Sequence, residues 1–407
     1  MRCDMSYQSP ITVSRRAARR FLVESLLLMP ETLSRALEIT LDCLEAVQID
    51  PVARVARNQD LALWARHPDY RPEMLERLLS EHTVFEYLAN QASVLPMWDY
   101  PVLEGVRRRW QRRLQPELDR FALVVRTILE RIETQGAMPA RAFDSKVKVR
   151  GYWDTTSAAT KETSHVLNLM CDAGLVMVAE RKAGMRYFDI PERIVPPVLR
   201  EQARQISTQE ADEQLFDKYL RAYHLVNSGD PRLGWIGQSA PIRQRLLSER
   251  SKDGRLQAVR IENVKTLYYV LENERERLEF WQENATRWES MVRFLPPLDN
   301  LLWDRRRVED VFDFVYRWEL YVPVGERQFG VYAMPILCGD RLIGRIDPQF
   351  KRQDEKLIIH NLTWEPRVKL TRAITQRVYQ SVEKWAERLG ARSVEWSSIP
   401  SAMKNGY

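Results

Sequence analysis

The sequence predicts an α+β protein in which tandem winged helix-turn-helix units are scaffolded by a C-terminal β-rich domain. Three observations carry that expectation. A chain of 407 residues exceeds one hydrophobic core, because cores stop growing near ~250–300 residues. An order of helix, turn, helix and two-stranded hairpin occurs mid-chain and then returns. Past Pro296-Pro297 the pattern becomes strand-rich. With 44% hydrophobic and 29% charged residues, the chain can bury several cores and lacks the signature of disorder.

The elements follow in order. TVSRRAARRFLVESLLL, capped by Thr12, places Val13, Ala17, Phe21 and Leu28 on one face and arginines on the other. A second helix, ETLSRALEITLDCLEAVQ, runs to Gln48 and stops before Pro51, which disfavours helical geometry at Asp50. EMLERLLSEHTVFEYLANQ reads as further helix, and SVLPMWDYPVLE as an ordered turn before a basic helix. Residues 1–116 are thus expected to form a first, helical domain.

Residues 117–196 supply the first full copy of the repeated order: a helix ending at Gly136, the short MPARAFD segment, a helix ending at Gly174, and two strands around Lys182-Ala183-Gly184. Residues 197–290 repeat it, with DEQLFDKYLRAYHLVNSGDP, SAPIRQRLLSERSKDG and a hairpin turning at Glu262-Asn263. The final domain, 291–407, has its clearest hairpin at Cys338-Gly339-Asp340, a further strand in KLIIHNLTWEP, and a closing helix LTRAITQRVYQSVEKWAERL.

A net charge of +6 and a pI of about 9.1 favour a polyanionic partner. Arginines cluster at 15, 16, 19 and 20, at 107, 108, 109, 112 and 113, and at 305, 306 and 307. For any single cluster a solvated helix face is the first expectation. Cys3, Cys43, Cys171 and Cys338 lack CxxC spacing, and the five histidines are dispersed, so neither a metal nor a cofactor is expected. FLVESLLLM is too short and interrupted to span a membrane, so a cytoplasmic protein without membrane partners is expected. The absence of P-loop, GxGxxG, GxSxG and zincin motifs removes most nucleotide-dependent and common hydrolase readings. Architecture alone then points to DNA binding, with a transcription regulator or a repair accessory as the non-catalytic alternative.

The candidate chemical site is Gln48-Ile49-Asp50. In an extended backbone alternate side chains point the same way, so the amide and the carboxylate would share one face. Such a pair suits glycosidic hydrolysis, in which a carboxylate stabilises an oxocarbenium-like centre and takes the water's proton while an amide holds that water. By itself the tripeptide also reads as a helix cap or a solvated pair.

LEAVQIDPVARVARNQDLALWARHPDY, FEYLANQASVLP, GYWDTTSAATKETSHVLNLMCDAGLVMVAERKAGMRYFDI, FLPPLDNLLWDRRRVEDVFDFVYRWELYVP and ERQFGVYAMPILCGDRLIGRID together resemble the AlkZ/AlkX (YcaQ-like) family of crosslink-unhooking DNA glycosylases. The resemblance covers nearly the whole chain and, through Gln48-Ile49-Asp50, is to the Gln-apolar-Asp subgroup. It implies three tandem winged helices, the first helical domain being one of them, on an all-β scaffold. It also implies hydrolysis of N7-alkylguanine in alkylation-damaged double-stranded DNA and unhooking of interstrand crosslinks by a monomer, nucleoid-associated when bound to DNA. Gln48 and Asp50 would be the catalytic residues, without a lysine nucleophile or lyase activity. A basic channel and a lesion-probing β-hairpin are implied as well. The strands around Gly339-Asp340 are the candidate hairpin, and Lys161, Arg181, Arg186, Arg327, Arg341 and Arg345 are the candidate DNA contacts. In place of the aromatic-Ala-His run of many relatives stands Leu88-Ala89-Asn90, so any role of that histidine is lost or replaced.

Overall fold

The computed structural model describes residues 9–29, 35–143, 145–151, 159–284 and 291–397; Cys3, Asp144 and part of the GYWDTTSAAT stretch lie outside them. The chain opens with β1 (Ile11–Val13) and α1 (Arg15–Ser25). Ser14, rather than Thr12, caps α1, its hydroxyl accepting the Ala17 N–H. β1 joins, in parallel, the sheet of β10 (Leu256–Ile261) and β11 (Leu267–Leu271), so the N-terminal segment completes a sheet built some 250 residues later.

The first module comprises α2 (Leu37–Leu44), β2 (Val47–Gln48), α3 (Asn58–Trp64), α4 (Pro72–Ser80), β3 (Val84–Leu88) and β4 (Ala92–Pro96), its sheet ordered β2-β4-β3. Two expectations are corrected here. The second helix stops at Leu44, four residues before Gln48, and the supposed helix 73–91 turns into strand at Val84. β-branched and aromatic residues at Val84, Phe85 and Tyr87 fit a pleated, half-buried surface and override the helical reading. The first domain is therefore mixed, not helical.

The second module runs from α5 (Glu104–Arg120), unbroken through Pro116, into α6 (Ala122–Gln135), β5 (Met138–Pro139), β6 (Lys148–Val149), β7 (Thr160–Lys161) and α7 (Glu162–Asp172). The hairpin of β8 (Met177–Lys182) and β9 (Met185–Asp189) follows. Its two-residue turn, Ala183-Gly184, has φ +49° and +77°, the left-handed pair a tight hairpin demands. The turn packs against the first module: Gly184 N–H donates to Glu76 (3.1 Å), and a Cβ at 184 would collide with the Arg57 guanidinium.

After α8 (Pro191–Ile194) and α9 (Pro197–Gln205), the third module has α10 (Thr208–Tyr223), α11 (Ala240–Lys252), the β10–β11 hairpin and α12 (Arg275–Glu283). A capping box starts α10, Ser207 and Glu210 satisfying each other's backbone N–H groups. The last domain contains β12 (Val292–Phe294), α13 (Arg305–Phe312), β13 (Met334–Cys338), β14 (Arg341–Lys351), β15 (Lys356–Trp364), α14 (Arg372–Leu389) and β16 (Ser393–Trp396), the strands forming one sheet in order β12-β13-β14-β15-β16.

The modules share cores. Phe85 and Leu95 of the first pack in one cluster with Tyr219 and Tyr223 of α10, and Val55, Ala56 and Leu61 pack in another with Tyr332, Met334 and Ile346 of the C-terminal sheet. The loop 296–303 fastens these parts together. Arg66 and Asp299, both 0% exposed, form a two-pronged pair at 2.7 and 3.0 Å. No helix among the described residues is long and apolar enough to cross a membrane.

Candidate active site at the junction of three modules

The approach to the candidate motif is braced at each residue. Glu45 ends α2 with φ +63°, an unfavourable backbone for a non-glycine residue. Its carboxylate is held there by Arg221 and by the wholly buried Lys218 (2.7 Å), which also grips Asp99 (2.6 Å). Burial, followed by the nearby Asp99 and Glu45, pushes the Asp42 carboxyl up to about 6. From the other side Asn300 donates to the Ala46 carbonyl (2.9 Å). Asn58, first residue of α3, donates to the Gln48 carbonyl (2.8 Å) and accepts from Leu298 N–H (3.1 Å).

β2 pairs Val47 with Val94 and Gln48 with Ser93, and Ile49 N–H continues the ladder onto the Ala92 carbonyl (2.8 Å). β2 itself ends at Gln48, and the Ile49 bond carries the pairing one residue further toward Asp50. Gln48 is 7% exposed, and its Oε1 accepts from Asn90 Nδ2 (3.0 Å). Asp50 is half-buried, with Oδ1 accepting the Val52 N–H (2.8 Å). Among the described residues no Lys or Arg is ion-paired with Asp50, and its Oδ2 accepts no protein hydrogen bond. Burial raises its pKa above the ordinary value of 3.8, against the smaller opposing effect of the Val52 N–H. Its charge is felt by the buried Tyr332, at the entry to β13, and the chain just beyond Asp50 is tied to the C-terminal sheet by Phe350 N–H donating to the Arg54 carbonyl (3.0 Å). Two residues apart in the chain, then, stand an amide anchored by Asn90 and a half-buried carboxylate whose second oxygen accepts no hydrogen bond among the described residues.

The family model for "DNA glycosylase AlkZ-like" matches residues 41–391. This chain belongs to the AlkZ-like DNA glycosylase family. Among solved structures, the Streptomyces sahachiroi DNA glycosylase AlkZ is similar at 15% identity over 95% of this chain and 99% of that one, with a TM-score of 0.60. The shared mixed α+β fold thus spans both proteins almost end to end.

On this AlkZ-like scaffold the charged candidates have distinct fates. Arg181 forms a two-pronged pair with Glu86, one arm at 2.8 Å, and also donates to the Gly184 carbonyl. Arg345 is buried between Phe314 and Phe329 and paired with Glu365. Arg327 donates to the carbonyls of Val322 and Leu320, and Arg186 to Asn168 (2.9 Å). Lys161 and Arg341 are exposed. The Arg305–307 cluster is largely internal: Arg307, 0% exposed, donates to carbonyls of Tyr223, Leu225, Asn300 and Leu301, and Arg305 donates to Pro297. Arg107, Arg108 and Arg109 are likewise engaged by Glu104 and Asp212.

The hairpin tip at Gly339-Asp340 is docked on α1, Asp340 lying 3.6 Å from both Arg19 and Arg20. It sits at the far end of β13 from Tyr332, about 16 Å away for five extended residues. What adjoins Tyr332 is the segment from Phe314 to Val331, closed by Glu319, whose carboxylate accepts N–H bonds from Gln328, Phe329 and Gly330. Burial would raise the Glu319 pKa, but those three donors hold it below the usual range. Trp318 meets Tyr332 edge-on (6.1 Å), and Tyr321 stands 77% exposed. Of the residues that frame Gln48, Asn58, Asn90 and Asn300 fall within the family-like stretches, Asn90 where many relatives carry a histidine, whereas Tyr223 lies outside all of them and carried no sequence signal.

Proposed function

We propose that this glycosylase hydrolyses the N-glycosidic bond of N7-alkylguanine in duplex DNA and unhooks interstrand crosslinks, acting as a monomer on three winged-helix modules, with Gln48 and Asp50 as its catalytic pair in the Gln-apolar-Asp form. What supports this reading is an amide anchored by Asn90 at the end of a short strand and, two residues on, a half-buried carboxylate that among the described residues accepts a hydrogen bond through one oxygen alone.

A guanine alkylated at N7 is already cationic, so it leaves without a general acid. As the bond from C1′ to N9 breaks, its electron pair passes into the base and neutralises that charge. The sugar becomes oxocarbenium-like, a centre that the Asp50 carboxylate stabilises. Water held by Gln48 and Asp50 adds to C1′ and gives its proton to Asp50 Oδ2. Lys218 is committed to Glu45 and Asp99, in keeping with hydrolysis without a lysine nucleophile and hence without lyase activity.

The surface offered to the lesion in this reading is the Phe314–Val331 segment with Trp318 and Tyr321, because it adjoins Asp50 through Tyr332. Arg181 and Arg345 are left out of the DNA contacts, since their guanidinium groups are engaged within the protein. Arg327, bonded to the Val322 and Leu320 carbonyls, is left out likewise, and Lys161, Arg186 and Arg341 remain proposed phosphate contacts.

Single-turnover incubation with duplexes carrying N7-methylguanine or a nitrogen-mustard crosslink, followed by alkaline cleavage, tests the proposal. Base release that Asp50→Asn and Gln48→Ala both suppress, with DNA binding retained, is the expected result. Tight binding with both lesions intact would instead favour a non-catalytic DNA-binding role.

A further inference from the structure

Gln48 is the end of a chain of hydrogen bonds that reaches into the third module. Tyr223, in the last turn of α10, has its hydroxyl 3.4 Å from Asn90 Oδ1, and Asn90 Nδ2 lies 3.0 Å from Gln48 Oε1. All three side chains are buried. An amide can turn end for end at little cost, exchanging donor for acceptor, so two linked amides need an outside group to set their sense.

We propose that Tyr223 and Asn90 form a positioning relay that fixes the sense of the Gln48 amide, so that Gln48 presents its Nε2 donors, not its oxygen, to the water beside Asp50. The inference rests on the catalytic reading of Gln48 given above. A buried phenol must donate its proton or lose a hydrogen bond that nothing replaces. The Tyr223 hydroxyl has Asn90 Oδ1 as its hydrogen-bond acceptor. The ring cannot swing to another partner: it is stacked on Tyr219 at 4.0 Å and enclosed by Trp235 and Trp303. Burial above all keeps the phenol protonated.

Each link then dictates the next. The phenol donates to Asn90 Oδ1, Asn90 must turn Nδ2 toward Gln48, and Gln48 must accept with Oε1, leaving its two N–H groups outward. A water between the pair accepts from Gln48 and donates to Asp50, which leaves one lone pair to attack. With the amide reversed, two acceptors would compete for the water's protons and nothing would hold its oxygen.

The relay is tested with full-length protein by single-turnover base release, DNA affinity and side-chain amide proton exchange. Asn90→Asp keeps the shape but cannot donate, so Gln48 reverses; the rate should fall on the order of tenfold or more with DNA affinity unchanged. Tyr223→Phe, which removes only the hydroxyl, should lower the rate by roughly threefold to tenfold and serves if the first variant fails to fold. In a Gln48→Ala background neither change should slow the residual reaction further, whereas a merely structural role would still do so. A wild-type rate in folded Asn90→Asp overturns the relay. Full activity in Gln48→Ala overturns the catalytic reading itself. If the wild type releases neither lesion, amide exchange still decides: the Asn90 Nδ2 protons should be protected and become labile in Tyr223→Phe, and solvent-rate exchange in wild type overturns the relay.

Discussion

In its proposed role, Asp50 occupies a position where function and stability oppose each other. Its folded pKa is raised by burial, so the folded state holds the Asp50 proton more tightly than the unfolded chain does. Ionisation therefore subtracts stability once pH exceeds the unfolded value near 3.8, fully so above the folded pKa, and the penalty vanishes below both. Asp50→Asn keeps the Oδ1 bond to Val52 and removes the charge. It should raise the thermal midpoint at neutral pH by roughly 1–2 °C while lowering base release by about 10²-fold or more; a scanning melt beside the glycosylase assay checks both. If Asp50 is the base proposed above, the same shift sets the acid limb of the rate. A base must be ionised, so the enzymatic rate, after subtraction of spontaneous depurination, should climb through the raised Asp50 pKa and level off above it. A half-point at or below the ordinary aspartate value would remove Asp50 from the base role.

At the scale of elements, two loops have placements opposite to what their sequences suggest. The Gly339-Asp340 turn carries the charge and glycine expected of a probing hairpin, yet Arg19 and Arg20 hold it against α1. Asp340→Ala should cost under about 1 kcal/mol in a denaturant titration, since long, partly exposed pairs contribute little, and should leave the single-turnover rate unchanged. The Phe314–Val331 segment lacks a hairpin signature but is closed by Glu319 and adjoins Asp50 through Tyr332. Tyr321→Ser should weaken binding to lesion-bearing duplex by about threefold to tenfold, because loss of an aromatic contact at a base is worth ~1 kcal/mol or more, with the melting curve unaltered because the ring is exposed. Equal binding by the variant would exclude this segment from the interface.

For the whole molecule, the site exists only because distant parts are bolted together. The Arg66–Asp299 pair, wholly buried, ties the first module to the loop that braces Ala46 and Gln48. Asp299→Ala leaves a guanidinium buried without its counter-ion and should cost about 3–5 kcal/mol, read as a shift in the denaturant midpoint. Replacing both partners with apolar residues, Arg66→Met with Asp299→Leu, should recover much of that loss. A single variant as stable as wild type would show that the modules do not depend on this fastening.

The sequence by itself determined the local elements wherever periodicity and turn chemistry agreed: the helix ending at Gly136, the Ala183-Gly184 hairpin, the β13–β14 hairpin and α14 all form where pattern and glycine placement put them. It also marked Gln48 and Asp50, through their position just before Pro51 and their resemblance to a known motif. Tertiary structure decided the rest. Only packing turned 84–88 into strand and joined β1 to β10, because strand pairing depends on a partner that local periodicity does not contain. Arginine runs could not distinguish DNA contacts from fastenings, since a guanidinium serves either; Arg307 is held by the Tyr223 and Leu225 carbonyls and Arg181 by the Glu86 carboxylate, all far away in the chain. Asn90 was marked only as a departure from a family run and Tyr223 not at all, and the two lie 133 positions apart. Folding alone brings them behind Gln48, because a hydrogen bond is a property of positions in space.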